Sequence, residues 1–131
     1  MSNSKTLTIL QMNDTHAYLE PHPELFWEGD GFQYRTAGGY ARLAGLAQAA
    51  RRENPGGVLL LDNGDTLHGT YPAVKTQGKA LIPVLNYLAP AAMTAHWEFA
   101  YGPQTFKQRA AELEYPALAL NVHEKDSGKP F

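Results

Sequence analysis

The chain has 131 residues, of which 44% are hydrophobic, enough for one domain with a modest core and too apolar for disorder over most of its length. Eleven basic residues stand against thirteen acidic ones, a formal net charge of -2, which excludes a polycationic nucleic-acid surface. Cysteine is absent, which excludes disulfides, thiolate nucleophiles and Cys-ligated zinc. No apolar run approaches the roughly 18 residues of a membrane helix.

In chain order, residues 1–6 are short and polar and are expected to be disordered. They lack the apolar stretch of a secretory signal, so a cytoplasmic location is expected, or a periplasmic one if the N-terminus is incomplete. Leu7-Thr8-Ile9-Leu10 is β-prone and predicts a first strand over Thr6–Met12. Residues 17–36 have no clean period and hold two prolines, two glycines and several aromatics, which predicts a long loop able to cover a site. Tyr40, Leu43, Ala44, Ala47 and Ala50 recur at helical spacing, and Asn54-Pro55-Gly56-Gly57 stops that helix. Val58–Asp62 is continuously apolar up to its last residue, the pattern of a buried parallel strand. A helix is predicted from Gly78 to Leu88, with Pro83 tolerated only in its first turn. Ala91–Thr94 is a weak strand, a helix runs from Gly102-Pro103 to about Leu113, and Ala117–Leu120 is a fourth strand. Residues 123–131 form a polar, turn-rich tail. The β-α-β-α-β-α-β order predicts a layered α/β domain whose ligands sit beyond the carboxyl ends of the strands.

Polar residues cluster at those ends. Asp14 and His16 follow the first strand, and residues two apart in extended chain share a face, so the pair can grip one cation. Asp65 follows Gly64 in the turn after the second strand, where a carboxylate can bridge two divalent ions. Asp62 still belongs to that strand and is assigned to hydrogen bonding with loop amides. His96 and Glu98 share the next strand-end loop, His96 as a ligand and reacting group and Glu98 orienting that shell from behind. His22, His68 and His123 are less specific, and for His68 a plain structural role is favoured. P-loop and serine-hydrolase signatures are missing, and the serines lie only at positions 2, 4 and 127.

Taken together the motifs are similar to those of the calcineurin-like metallophosphatases, in the 5′-nucleotidase branch. ILQMNDTHAYLEP resembles its opening motif, GGYARLAGLAQ its first helix and LLLDNGDTLHGT its second metal motif. AMTAHWEFAYG stands at its third motif and YPALALNV at the following strand. The resemblance covers residues 7–122 and implies the N-terminal part of a four-layer αββα metallophosphatase sandwich, truncated within the domain. It implies Asp14 and His16 on a first metal, Asp65 bridging, and His96 on a second. The family motif there is Gly-Asn-His-Glu followed by Phe-Asp. This chain has His96 for the Asn, Trp97 for the catalytic His and Ala100 for its supporting Asp. His-Trp-Glu-Phe at this position resembles the thiosulfohydrolase branch of the superfamily.

These readings imply a metal-dependent hydrolase of phosphoesters such as nucleoside monophosphates, with two divalent ions, manganese or zinc. The substrate would be a small molecule, and neither nucleic acid nor membrane is expected as a partner. Four candidate ligands are few for two ions, so the chain is expected to be a truncated product, a fragment, or a subunit whose missing metal ligands a second chain supplies. The alternatives are thiosulfohydrolase-like chemistry and a catalytically inactive structural or interaction fragment.

Overall fold

The computed structural model describes residues 5–131. The disorder expected for residues 1–6 falls largely on residues 1–4, outside the described residues. Strand β1 is Thr8–Met12, β2 His22–Glu28, β3 Gly31–Ala37, β4 Val58–Asp62, β5 Ala92–Thr94 and β6 Ala117–Leu118. Helix α1 is Tyr40–Glu53, α2 Tyr71–Thr76, α3 Ile82–Leu88 and α4 Pro103–Glu112. One 3-10 turn, Lys79–Leu81, leads into α3 and another, Glu98–Tyr101, precedes α4; Pro83 lies in the first turn of α3, where its missing N–H costs nothing.

Strands β1, β4, β5 and β6 form one sheet in that order, and every pair in it is parallel. With the hairpin and the short helical pieces set aside, the order is the β-α-β-α-β-α-β expected from the sequence. The register aligns Met12 with Asp62 and Asp62 with Met93, so three strands end side by side and their loops meet at one edge. The core lies on one face, where Met12, Leu60 and Met93 pack with Ala47 of α1, Leu85 and Leu88 of α3 and Phe106 of α4. Ile9 and its register partner Leu59 point to the other face and stay 60% and 39% exposed. The described residues thus build one helix-covered sheet of the layered fold.

Several side chains fix the connections. Asn54 closes α1 and donates from Nδ2 to the carbonyls of Thr6 and Gly57, tying the entrances of β1 and β4 together. Arg51 donates to the last carbonyls of α3, Leu88 and Ala89, at 3.0 and 2.7 Å, a cation at a helix C-terminus.

Residues 17–36, expected as a structureless loop, instead contain the β2–β3 hairpin, which is separate from the main sheet. Gly29-Asp30 forms its two-residue turn, with Gly29 at φ 57°. Leu25 faces Tyr34 and Trp27 faces Phe32 across the pair, and Trp27 and Phe32 meet edge to face at 5.8 Å. These cross-strand aromatic pairs stabilise the hairpin despite their exposure. The polar tail also folds back. His123 bridges to Pro130, Lys107 pairs with Glu124, and Phe131 stacks on Phe106.

Asp62 ends β4 and is buried. Its Oδ1 accepts from the Gly64 amide at 3.0 Å and the Thr66 hydroxyl at 2.9 Å, shaping the turn that carries Asp65. Burial pushes its carboxyl up from 3.8 to about 6 against those two bonds, and the Glu98 charge adds to the rise. The folded state therefore keeps a proton that the unfolded chain has released. That contribution to stability is full below about pH 4 and is lost as pH rises through 6. Asp62→Asn retains an oxygen acceptor and removes the titration. Its stability relative to the native chain should rise between pH 4 and pH 7 by up to about 3 kcal/mol, read from urea unfolding. A pH-independent difference would contradict this account of Asp62.

Candidate metal centre

The loops after β1 and β4 are zipped by their backbones. The amide of Asp14 donates to the Gly64 carbonyl and that of His16 to the Asp65 carbonyl, both at 3.0 Å. Asn63 donates to the Met12 carbonyl at 2.9 Å. These bonds hold Asp14, His16, Ala17 and Asp65 at φ of 54°, 46°, 55° and 61°, the left-handed region that side chains other than glycine disfavour. Each such residue costs of order 1 kcal/mol or more and persists because the surrounding bonds over-determine it.

Gly64, at φ 86°, allows the third loop to close on the second. A Cβ there would lie 2.5 Å from the Thr94 carbonyl oxygen and 2.9 Å from Glu98 Oε2. Through this contact Glu98 reaches both loops. Its carboxylate is 2% exposed, and Oε1 accepts from the amides of Thr66 and Leu67 at 2.7 and 3.3 Å, while Oε2 accepts from the amide of His96 at 2.7 Å. Glu98 thus orients the backbone that carries Asp65 and His96. The orienting action expected for it thus runs through backbone amides.

Asp65 lies at the centre, 4% exposed. Its Oδ2 is 3.1 Å from Nδ1 of His96 and 3.5 Å from Nε2 of His16, and its Oδ1 contacts Nε2 of His68. Burial opposes its charge. The hydrogen bond with His96, the charges of His16 and His68 and the bond with Asp14 outweigh that penalty and hold the carboxyl below its usual range. Asp65 is therefore an anion at neutral pH surrounded by nitrogen donors.

Two donor groups result, His16–Asp65–His68 and Asp14–Asp65–His96, and within each the potential ligand atoms lie within 4.8 Å of one another. Asp14 and His16, expected as a pair, sit 4.0 Å apart at Oδ1 and Nε2 and fall into different groups. All four sequence-predicted ligands come together. His68, which sequence reading set aside, joins them. Its spacing of three from Asp65 was visible, but its approach to His16 depends on the chain doubling back.

The donor set suits a divalent cation. Carboxylate oxygens and imidazole nitrogens converge from three loops, with the buried Asp65 Oδ1 and His68 Nε2 in contact with each other. Behind them Thr15 and Tyr40 share a 2.7 Å hydroxyl bond, and Thr15 reaches Thr66 at 3.4 Å. Trp97, where the family places a histidine, is 61% exposed beside His96.

No protein-family model matches the chain. It is 36% identical over 118 residues to a probable 5′-nucleotidase of Treponema pallidum, covering 88% of this chain and 20% of that protein. It is 35% identical over 121 residues to the human 5′-nucleotidase, covering 91% and 21%. The calcineurin-like phosphoesterase YfkN of Bacillus subtilis superposes with a TM-score of 0.71 at 31% identity, covering 94% of this chain and 39% of that one. The chain belongs to the 5′-nucleotidase family of calcineurin-like metallophosphatases. The Haemophilus influenzae NAD nucleotidase, a further neighbour, has a TM-score of 0.80 at 28% identity over 93% of this chain and 22% of that one. The Thermus thermophilus sulfate thiohydrolase SoxB reaches 0.82 at 20% identity over 100% and 32%, a likeness of fold alone. The chain spans about one fifth of the length of the curated relatives it matches. Metallophosphatase neighbours imply divalent metal cofactors for this fold. No helix among the described residues is long and apolar enough to cross a membrane.

Glu98→Gln should test the clamp. An amide in place of the carboxylate sets one N–H donor against a backbone N–H that now has an acceptor, whichever way the amide turns. The expected cost is about 1–3 kcal/mol by urea unfolding. A change below about 0.5 kcal/mol would remove Glu98 from this role.

Proposed function

We propose that the three loops form part of a dinuclear metal centre that hydrolyses phosphoesters, with nucleoside monophosphates as the substrate class. The observation that carries the proposal is that one buried, ionised carboxylate, Asp65, is common to both donor groups. A carboxylate shared in this way suits two cations held close together. His16 and His68 would serve one side of Asp65, and Asp14 and His96 the other. Manganese or zinc fits the mixed oxygen and nitrogen donors. When bound, the cations would polarise the phosphoryl group and make a nucleophile available from water.

The chain's own residues would bind and orient. Asp65 holds its charge between the imidazoles, Glu98 fixes the loops through three amides, and the strained backbone at Asp14, His16 and Asp65 is set before any ligand arrives. Trp97 has no proton to give a leaving group, so charge stabilisation carries more of the barrier here than in relatives with the histidine. Residues 7–122 would correspond to the N-terminal part of the relatives' catalytic domain. Further ligands would come from outside the 131 residues, from a continuation of the domain or a second chain. Thiosulfohydrolase-like chemistry stays the second reading, favoured by the His96-Trp97 replacement alone.

With the relatives' downstream half of the catalytic domain supplied in trans or fused in frame, phosphate release from AMP should depend on added manganese or zinc and fall about 100-fold in Asp65→Asn. Metal-independent release, or equal rates in the two proteins, would contradict the proposal.

A further inference from the structure

The loop that carries Asp14 and His16 is strapped from beneath by Tyr40, a residue that helical spacing alone assigns to the buried face of α1. Tyr40 is the first residue of that helix and is 4% exposed. Its two polar groups hold the loop at two points. The amide donates to the Leu19 carbonyl at 3.0 Å, and the hydroxyl lies 2.7 Å from Oγ1 of Thr15. Between those points the chain turns sharply. His16 and Ala17 have φ of 46° and 55°, and the Tyr18 amide donates back to the Thr15 carbonyl at 3.0 Å. Glycine lets the helix start this close. Gly39 has φ 86°, and a Cβ there would lie 2.8 Å from the nitrogen of Pro21.

The hydroxyl bond has a direction. Thr66 is fully buried and gives its own proton to Oδ1 of Asp62 at 2.9 Å, so Thr15 is the donor where the two threonines meet at 3.4 Å. Thr15 therefore accepts from Tyr40, whose buried hydroxyl makes no other hydrogen bond among the described residues. Burial pushes the pKa of that hydroxyl up, so it keeps the proton it donates. The chain of hydroxyls from Tyr40 through Thr15 and Thr66 to Asp62 runs beneath both ligand loops. Thr15 stands between Asp14 and His16, and Thr66 directly follows Asp65. A hydroxyl contact of 3.4 Å is long and weak, so the hold on the Thr15 side chain comes mainly from Tyr40.

We infer that Tyr40 is a positioning residue for the candidate metal centre, its hydroxyl fixing Thr15 so that the flanking Asp14 and His16 keep their left-handed backbone angles before any ion binds. Its functional meaning rests on the metal-centre reading. Packing alone does not call for the hydroxyl. A phenyl ring fills nearly the same volume, and Tyr115, also buried, has a hydroxyl with no partner. The Tyr40 hydroxyl differs in what it restrains, a turn that would relax to easier angles without its surrounding bonds.

The test is amide hydrogen exchange, followed residue by residue by nuclear magnetic resonance on the metal-free 131-residue chain. The amides of Asp14 and His16 report on the loop, since they donate to the Gly64 and Asp65 carbonyls, and amides in the middle of α1 report on the whole fold. Tyr40→Phe should speed exchange at the two loop amides about 3- to 10-fold beyond any change in α1, the worth of one net hydrogen bond. Thr15→Val should do the same, and the double variant should be no faster than Thr15→Val, because both changes remove one bond. Tyr115→Phe should leave the loop amides as they are in the native chain. Loop amides unchanged in Tyr40→Phe, or changed only as much as α1, would overturn the inference. So would single effects that multiply in the double variant, or an equal acceleration in Tyr115→Phe. Calorimetric titration with manganese separates this inference from the broader reading. Where the native chain binds manganese and Asp65→Asn does not, Tyr40→Phe should weaken binding by about 3- to 10-fold, and an unchanged affinity would overturn the inference. A native chain that binds no manganese would count against the metal-centre reading, and the exchange pattern alone would then decide whether Tyr40 holds the loop.

Discussion

The arrangement depends on one buried carboxylate that is not a ligand. Glu98 accepts hydrogen bonds from Thr66, Leu67 and His96, amides of two loops that follow different strands. A carboxylate with its charge met by backbone N–H groups is a strong and directional clamp. It closes over Gly64, where a side chain would collide with Thr94 and with Glu98 itself. The parallel sheet delivers three loop starts to one edge, and Glu98 converts that proximity into a fixed geometry.

Asp65 then takes its character from what surrounds it. Burial alone would favour its neutral form, and the hydrogen bond and charges of its neighbours reverse that preference. Asp62, only three residues earlier, goes the other way. Burial dominates, the Glu98 charge adds to the rise, and its second oxygen is unpartnered. Two carboxylates in one turn thus have opposite electrostatic roles, one supporting the turn and one presenting a charge. The backbone strain falls on the presenting loops, at Asp14, His16 and Asp65, while Asn54 and Arg51 secure the far end of the fold.

Much of this was legible in the sequence, because it rests on local patterns. The run Val58–Leu61 could only be a buried strand, alanine-rich spacing marked α1, and polar residues beyond each strand marked the site edge. The β2–β3 hairpin was not legible. Phe26 interrupts the alternation of Leu25 and Trp27, and the apolar side chains stay exposed, so no burial pattern marks the strands. Helix α2 is only six residues long and offers too little periodicity. Glu98 read as a loop carboxylate near a histidine, and its amide partners 31 and 32 residues away carry no sequence signal. His68 was missed for the same reason, since its neighbour His16 lies across a contact made by Gly69.

The two oxygens of Asp65 are where both donor groups meet. Anomalous diffraction from crystals of the chain grown with zinc and manganese would locate bound ions directly. Two peaks flanking the Asp65 carboxylate are predicted. Ions bound elsewhere, with Asp65 touching none, would contradict this.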